Sequence, residues 1–147
     1  MNPFKEAESV QELYYDDIQV GDQASLTKKI TEDDIISFAK LTGDVNPIHL
    51  LDSFAKTTMF KERIAHGMLV SSYISTVLGT KLPGKNTIYL SQNVAFRAPV
   101  KIGDVVRVVA EVTSKRDDKR IITIQTNVYN QSNTIVVEGT ATVMKKE

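Results

Sequence analysis

Hydrophobic positions along this chain recur with two different spacings. Ile35, Phe38 and Ala39 fall on one face at helical spacing. Thr31 stands where it can cap that helix, and Asp34 lies near its positive N-terminal end. Gly43 stands at the expected C-terminal stop. Asp44-Val-Asn-Pro-Ile-His49 cannot continue the helix, because Pro47 lacks an N–H and drives Asn46 towards an extended backbone. A second short helix is expected from Asp52 or Ser53 towards Thr58. From Ala65 to Leu78 the pattern changes. Met68, Leu69, Val70, Tyr73, Ile74, Val77 and Leu78 cover most of a helical circumference, and small residues such as Gly67, Ser71 and Ser75 fill the rest. A helix apolar nearly all round is a buried one, and Gly79 is its natural terminator.

The remainder follows a period of two. Thr87–Arg97 carries Ile88, Leu90, Val94 and Phe96 at even spacing, and in Val105–Val112 Arg107 and Glu111 face away from Val106 and Val108. Ile121–Tyr129 and Thr134–Met144 follow, joined by the turn Asn130–Asn133. Long strands with short connections predict an antiparallel meander. An early strand near Ala24–Ile30 joins an edge. Gly-Asp pairs introduce both it and the Val105 strand. The order is strand, helices, one long central helix, then several strands, which is an α+β pattern with a sheet wrapped around the central helix.

Composition narrows the classes of function. The 147 residues suit one domain, with residues 1–15 left as an N-terminal extension of open role. Eighteen Lys and Arg balance eighteen Asp and Glu. No basic excess exists to meet phosphates, so nucleic acid is disfavoured as a partner. Cysteine is absent, which removes thiolate nucleophiles and Cys-type zinc sites, and the two histidines, His49 and His66, match no metal-binding spacing. The N-terminus lacks a signal-peptide pattern, and no stretch reaches the roughly 20 apolar residues of a membrane span. The expected compartment is the cytoplasm.

The candidate chemistry lies in two short segments. Asp44 and His49 stand five positions apart in a stretch constrained by Gly43 and Pro47. Acid–base work needs two proton-carrying groups held near one reacting centre, and a constrained loop can make them converge. In Ala65-His66-Gly67-Met68, Gly67 opens the buried helix. Exposed N–H groups at a helix N-terminus favour developing negative charge, and a glycine leaves room for a ligand oxygen. Together these suit chemistry next to an acyl group, such as hydration of an α,β-unsaturated thioester. Each residue also has a plainer reading. Asp44 can form an Asx turn, His49 can be a hydrogen-bonded structural imidazole, and Gly67 can simply allow close helix–sheet approach. His66 is read as packing at the helix entrance or orienting the loop.

The stretch Leu41-Thr42-Gly43-Asp44-Val-Asn46-Pro47-Ile-His49 resembles the hydratase-2 motif of the MaoC-like dehydratases, nearest to the (R)-specific enoyl-CoA hydratases. The likeness continues through Ala65–Leu69, Leu82-Pro83-Gly84, Ile88-Tyr89-Leu90, Ala98-Pro99-Val100 and Gly103-Asp104. It implies a hot-dog fold, a homodimer, an acyl-CoA substrate and no cofactor, metal or membrane. By position it implies Asp44 and His49 as the catalytic pair and Gly67 as the carbonyl-binding N–H. It implies Asn46 and Ser75 as supporting residues. No catalytic position departs from the motif. Lys81, Lys85 and Arg97 are candidates to meet CoA phosphates. Two rival functions share the fold: a 3-hydroxyacyl-ACP dehydratase and a non-catalytic module that binds acyl thioesters.

Overall fold

The computed structural model describes residues 1–146. In chain order they form α1 (Pro3–Glu8), β1 (Gln23–Lys29), α2 (Glu32–Thr42), α3 (Pro47–Leu50), α4 (Asp52–Ala55), α5 (Gly67–Thr80), β2 (Thr87–Phe96), β3 (Val105–Arg116), β4 (Ile121–Tyr129) and β5 (Ile135–Lys145). Alternation builds the inner face of the sheet. Val106, Val108, Ala110 and Val112 of β3 are buried, as are Ile122, Ile124 and Val128 of β4 and Val137, Ala141 and Val143 of β5. They close on Val70, Ile74, Val77 and Leu78 of α5, forming one continuous core.

The strands order as β1-β3-β4-β5-β2, every pair antiparallel. The meander therefore covers only β3 to β5. β2 pairs with β5 instead of β3, so a crossover separates it from its neighbour in sequence. β1 takes an edge, as expected, and β2 takes the other. Even spacing misreads β2, because the register shifts between Tyr89 and Ser91 and leaves Leu90 exposed. Phe96 at its end is exposed as well.

The central helix departs from expectation in two ways. It runs through Gly79 to Thr80 rather than stopping at Gly79. Its final carbonyls are met by Lys81 and Leu82 N–H groups on Val77 and by Gly84 N–H on Leu78, while Pro83 prevents a further turn. Within one chain α5 is also not buried all round. Met68, Ser72, Ser75, Thr76 and Gly79 form an exposed stripe at helical spacing.

The N-terminal extension is fastened to the domain. Leu13 N–H bonds to Pro83 O at 3.1 Å, and Lys85 N–H bonds to Gln11 O at 3.1 Å. Tyr15 is buried, its hydroxyl donates to Asp117 at 2.6 Å, and Lys115 Nζ donates to the carbonyls of Tyr15 and Ile18. Deeper still, the fully buried Lys145 ammonium reaches Glu12 at 3.2 Å and Lys85 O at 2.6 Å.

Candidate active site

Local signals place the first acidic group. Thr31 and Asp34 form a reciprocal capping box at the start of α2. Gly43 ends the helix in the left-handed conformation, φ 80°, which a glycine adopts without strain. Asp44 follows on the exposed side of this turn. Its Oδ1 accepts from Asn46 N–H at 3.3 Å, and Asn46 Oδ1 in turn accepts from Ile48 N–H at 3.2 Å, capping α3. The plainer reading of Asp44 as an Asx turn thus holds alongside its place in the site. Pro47 opens α3, an element absent from the sequence expectation, where its missing N–H costs nothing. α4 begins at Asp52 as expected but ends at Ala55.

His49 sits on this one-turn helix at 9% exposure. Its Nδ1 lies 2.8 Å from Ile64 O. A carbonyl only accepts, so Nδ1 carries the proton and Nε2 keeps its lone pair. The same stretch grips the main chain: Ile64 N–H donates to Ile48 O at 3.3 Å, and Arg63 Nε–H donates to His49 O at 2.8 Å. Burial holds the His49 pKa below the ordinary imidazole value of 6.5. The Ile64 bond and the Asp44 carboxylate oppose that shift, and His66 adds to it.

His66 joins the two segments. It is 2% exposed, its ring stacks on His49 at 3.8 Å, and its Nε2–H donates to the Asp44 carbonyl at 3.0 Å. Phe38 leans on its other side at 4.8 Å. Gly67 then heads α5, where its N–H has no acceptor within the helix. A Cβ there would fall 2.6 Å from the Phe96 ring, so side-chain packing as well as ligand access favours glycine.

These groups face a cavity of about 410 Å³. Asp44, His49, His66 and Gly67 stand on one side, and Val70, Phe96, Pro99 and Val137 supply apolar wall. The convergence is of carboxylate, imidazole and helix-terminal N–H in an otherwise apolar cleft, the form expected of a small-molecule site. Asp44, His49 and His66 each place a potential ligand atom within 4.8 Å of the others. One nitrogen of each ring, His49 Nδ1 and His66 Nε2, is engaged by a carbonyl, which leaves His49 Nε2 and His66 Nδ1 as the nitrogens available to a proton or a metal ion.

Other candidates divide. Arg97 lines the cleft, with its Nε 3.1 Å from Glu138. Lys81 caps the opposite end of α5, about 20 Å away by helix rise, with its Nζ on Ser25 O. Lys85 lies beside the N-terminal extension. Within one chain, then, only Arg97 of the three reaches the site. Ser75 is exposed on the outer stripe of α5 and does not line the cleft, because it falls on the face turned from the sheet. Arg63 was invisible as a contributor in the sequence. Lys61-Glu-Arg63 reads as a solvated charge run, and only the fold turns Arg63 inward, to 8% exposure.

The MaoC like domain model matches residues 18–134. The chain is 48% identical over 131 residues to the (R)-specific enoyl-CoA hydratase of Rhodospirillum rubrum, spanning 89% of this chain and 90% of that protein. It superposes on the R-hydratase PhaJ1 of Pseudomonas aeruginosa with a TM-score of 0.89 at 46% identity, covering 94% of this chain and 88% of the other. The (R)-hydratase of Aeromonas caviae involved in PHA biosynthesis gives 0.85 at 43%, covering 87% and 97%. With its antiparallel sheet curved round one helix, its Asp-His loop and its glycine-headed helix, this chain belongs to the MaoC-like domain family and has the hot-dog fold.

Proposed function

We propose that this protein is an (R)-specific enoyl-CoA hydratase, adding water reversibly to trans-2-enoyl-CoA to give (R)-3-hydroxyacyl-CoA. The observation that carries the reading is the His49 tautomer. Nδ1–H is committed to Ile64 O, so the Nε2 lone pair is left for a proton, beside Asp44 and in the same cleft as the Gly67 N–H.

In this reading the thioester carbonyl accepts from Gly67 N–H at the positive end of α5. That polarises C2=C3 and stabilises the enolate charge that develops on oxygen. Asp44 and His49 hold one water against C3. Its oxygen bonds to C3, the pair takes one of its protons, and the pair returns one proton to C2. The dyad ends with the charge it began with and works as a unit. His66 and Asn46 orient the loop. In this reading the apolar wall takes the acyl chain, and Arg97 at the cleft is the candidate to meet the charged end of CoA. The reading calls on no cofactor or metal.

A homodimer and a cytoplasmic location belong to the same proposal. Among the described residues β2 leaves one sheet edge unpaired, Tyr89 and Leu90 on it are exposed, and α5 carries its own open stripe. A second copy would cover both, and Ser75 would then lie in the interface.

Crotonyl-CoA hydration by the purified protein, with product stereochemistry, tests the reading. Strong loss is expected in both Asp44→Asn and His49→Ala. Full activity in both variants would sink the mechanism. A marked preference for an acyl-carrier-protein thioester would reassign the carrier, and tight acyl-CoA binding without turnover would favour the binding module.

A further inference from the structure

Arg63 is a charged side chain hidden behind the cleft rather than in it. Its side chain is 9% exposed, and it does not line the cavity. Nη1 meets Glu32 Oε1 at 2.8 Å, and that carboxylate remains 56% exposed at the first turn of α2. Nε–H donates to His49 O at 2.8 Å. Burying a guanidinium costs free energy, and one exposed carboxylate partner repays little of it. What the buried guanidinium supplies, and an apolar side chain could not, is a donor to the His49 carbonyl.

The reason lies in α3. A helix of four residues is not stable by itself, and its last carbonyls have no partner within it. The His49 carbonyl is one of these, and Arg63 supplies its donor. The next residue, Ile64, accepts from the ring of the same histidine, and Ile64 is itself bridged to Lys101. Main chain and ring of His49 are thus held from two adjacent residues on one fixed segment. That segment leads directly through Ala65, bonded to Val100 O at 2.7 Å, into His66 and Gly67.

We infer that Arg63 is a positioning residue for the acid–base chemistry: it fixes the His49 peptide between α2 and the Gly67 segment, so that Nε2 is aimed at the reacting centre. The inference rests on the hydratase reading for its kinetic consequence, but its geometric content stands apart from it. Small misplacement of a reacting group is expensive, of order 100-fold for about 1 Å.

The test compares Arg63→Met, Arg63→Lys and Glu32→Ala with the wild type and with Arg116→Gln, which removes an exposed ion pair at the hairpin tip. Crotonyl-CoA kinetics are read together with the imidazole ¹⁵N spectrum of His49. Arg63→Met is expected to lower kcat about 10- to 100-fold with KM within about twofold. Its His49 spectrum should move from one Nδ1–H tautomer to a mixture. Arg63→Lys should recover part of the kcat, and Arg116→Gln should match the wild type. Wild-type kcat in Arg63→Met, or a fall in kcat with the His49 spectrum unchanged, overturns the inference. If Arg63→Met does not fold, Glu32→Ala decides. It removes the acceptor that holds the guanidinium on α2, and a kcat and His49 spectrum equal to wild type would overturn the inference. Absence of hydration by the wild type would remove the functional reading instead, and the spectrum would still report whether Arg63 keeps the His49 ring on Ile64 O.

Discussion

His49 and His66 stack face to face, with ring centroids 3.8 Å apart and planes at 26°. Both rings are fixed by backbone carbonyls at one nitrogen, Ile64 O for the first and Asp44 O for the second. The two segments singled out by their chemistry therefore meet as one rigid unit. Protonating one imidazole of such a stack works against its neighbour as well as against burial.

That arrangement sets a pH dependence. His49 has its pKa held below 6.5, chiefly by burial. The neutral form should persist below the pH at which a free imidazole charges, so the acidic limb of kcat/KM is expected below 6.5. Stability follows the same sign. A depressed histidine pKa means the unfolded chain binds the proton first, so the contribution is full above 6.5 and is lost as pH falls towards the folded value. Urea unfolding across this range, with His49→Gln as the comparison, checks it. A variant curve parallel to the wild type would contradict the assignment.

Gly67 and Phe96 should act as a pair. An added methyl at Gly67 meets the Phe96 ring at 2.6 Å, and that ring is 55% exposed and free to swing. Gly67→Ala is therefore expected to fold, with thermal stability near wild type, while the displaced ring narrows the carbonyl end of the cleft. Hydration should fall at least about 10-fold, in keeping with a disturbed carbonyl-binding donor. Adding Phe96→Ala should recover part of the loss. No recovery would place the defect at the N–H alone.

Lys145 ties the N-terminal extension to the last strand. Its ammonium is fully buried against Glu12 and Lys85 O, and Asn86 Nδ2 donates to the same Glu12 carboxylate. Lys145→Ala removes the ammonium that bonds Glu12 and Lys85 O and should lower stability. Deleting residues 1–15 removes that carboxylate together with the Gln11, Leu13 and Tyr15 contacts and should destabilise the domain too. Urea midpoints for the two changes measure this. An unchanged midpoint on deletion would show that the extension only lies on the surface.

The exposed stripe of α5 gives a test of assembly. Ser75 is small and exposed in the middle of it, with Ser72, Thr76 and Gly79 alongside. Ser75→Arg would place a long charged side chain where two copies are proposed to meet. Sedimentation should show a dimer for the wild type and a shift to monomer for the variant. A wild-type monomer at working concentration would refute the dimer.

Most elements were legible because their signals are local. The Thr31–Asp34 cap, the stop at Gly43 and the alternation of β3 each depend on neighbours a few residues away, and each appears where expected. Errors arose where distant contacts decide. The bulge at Leu90 shifts the register of β2 against β5. The run of α5 past Gly79 has a local cause instead: Lys81 and Leu82 N–H groups meet the Val77 carbonyl before Pro83 ends the helix. Ser75, aligned by motif position, falls on the exposed stripe of α5 within one chain.

By itself, the sequence determined the α+β pattern, the central helix and the two short segments that hold Asp44, His49, His66 and Gly67. Periodicity, caps and turn residues act over a few bonds, so they can be read along the chain. Only the tertiary structure decided that the two histidines stack, that Ile64 sets the His49 tautomer, and that Arg63 turns inward to hold the His49 carbonyl. Those contacts join residues 14 to 17 positions apart, across a path set by packing on the sheet, and no local periodicity encodes them.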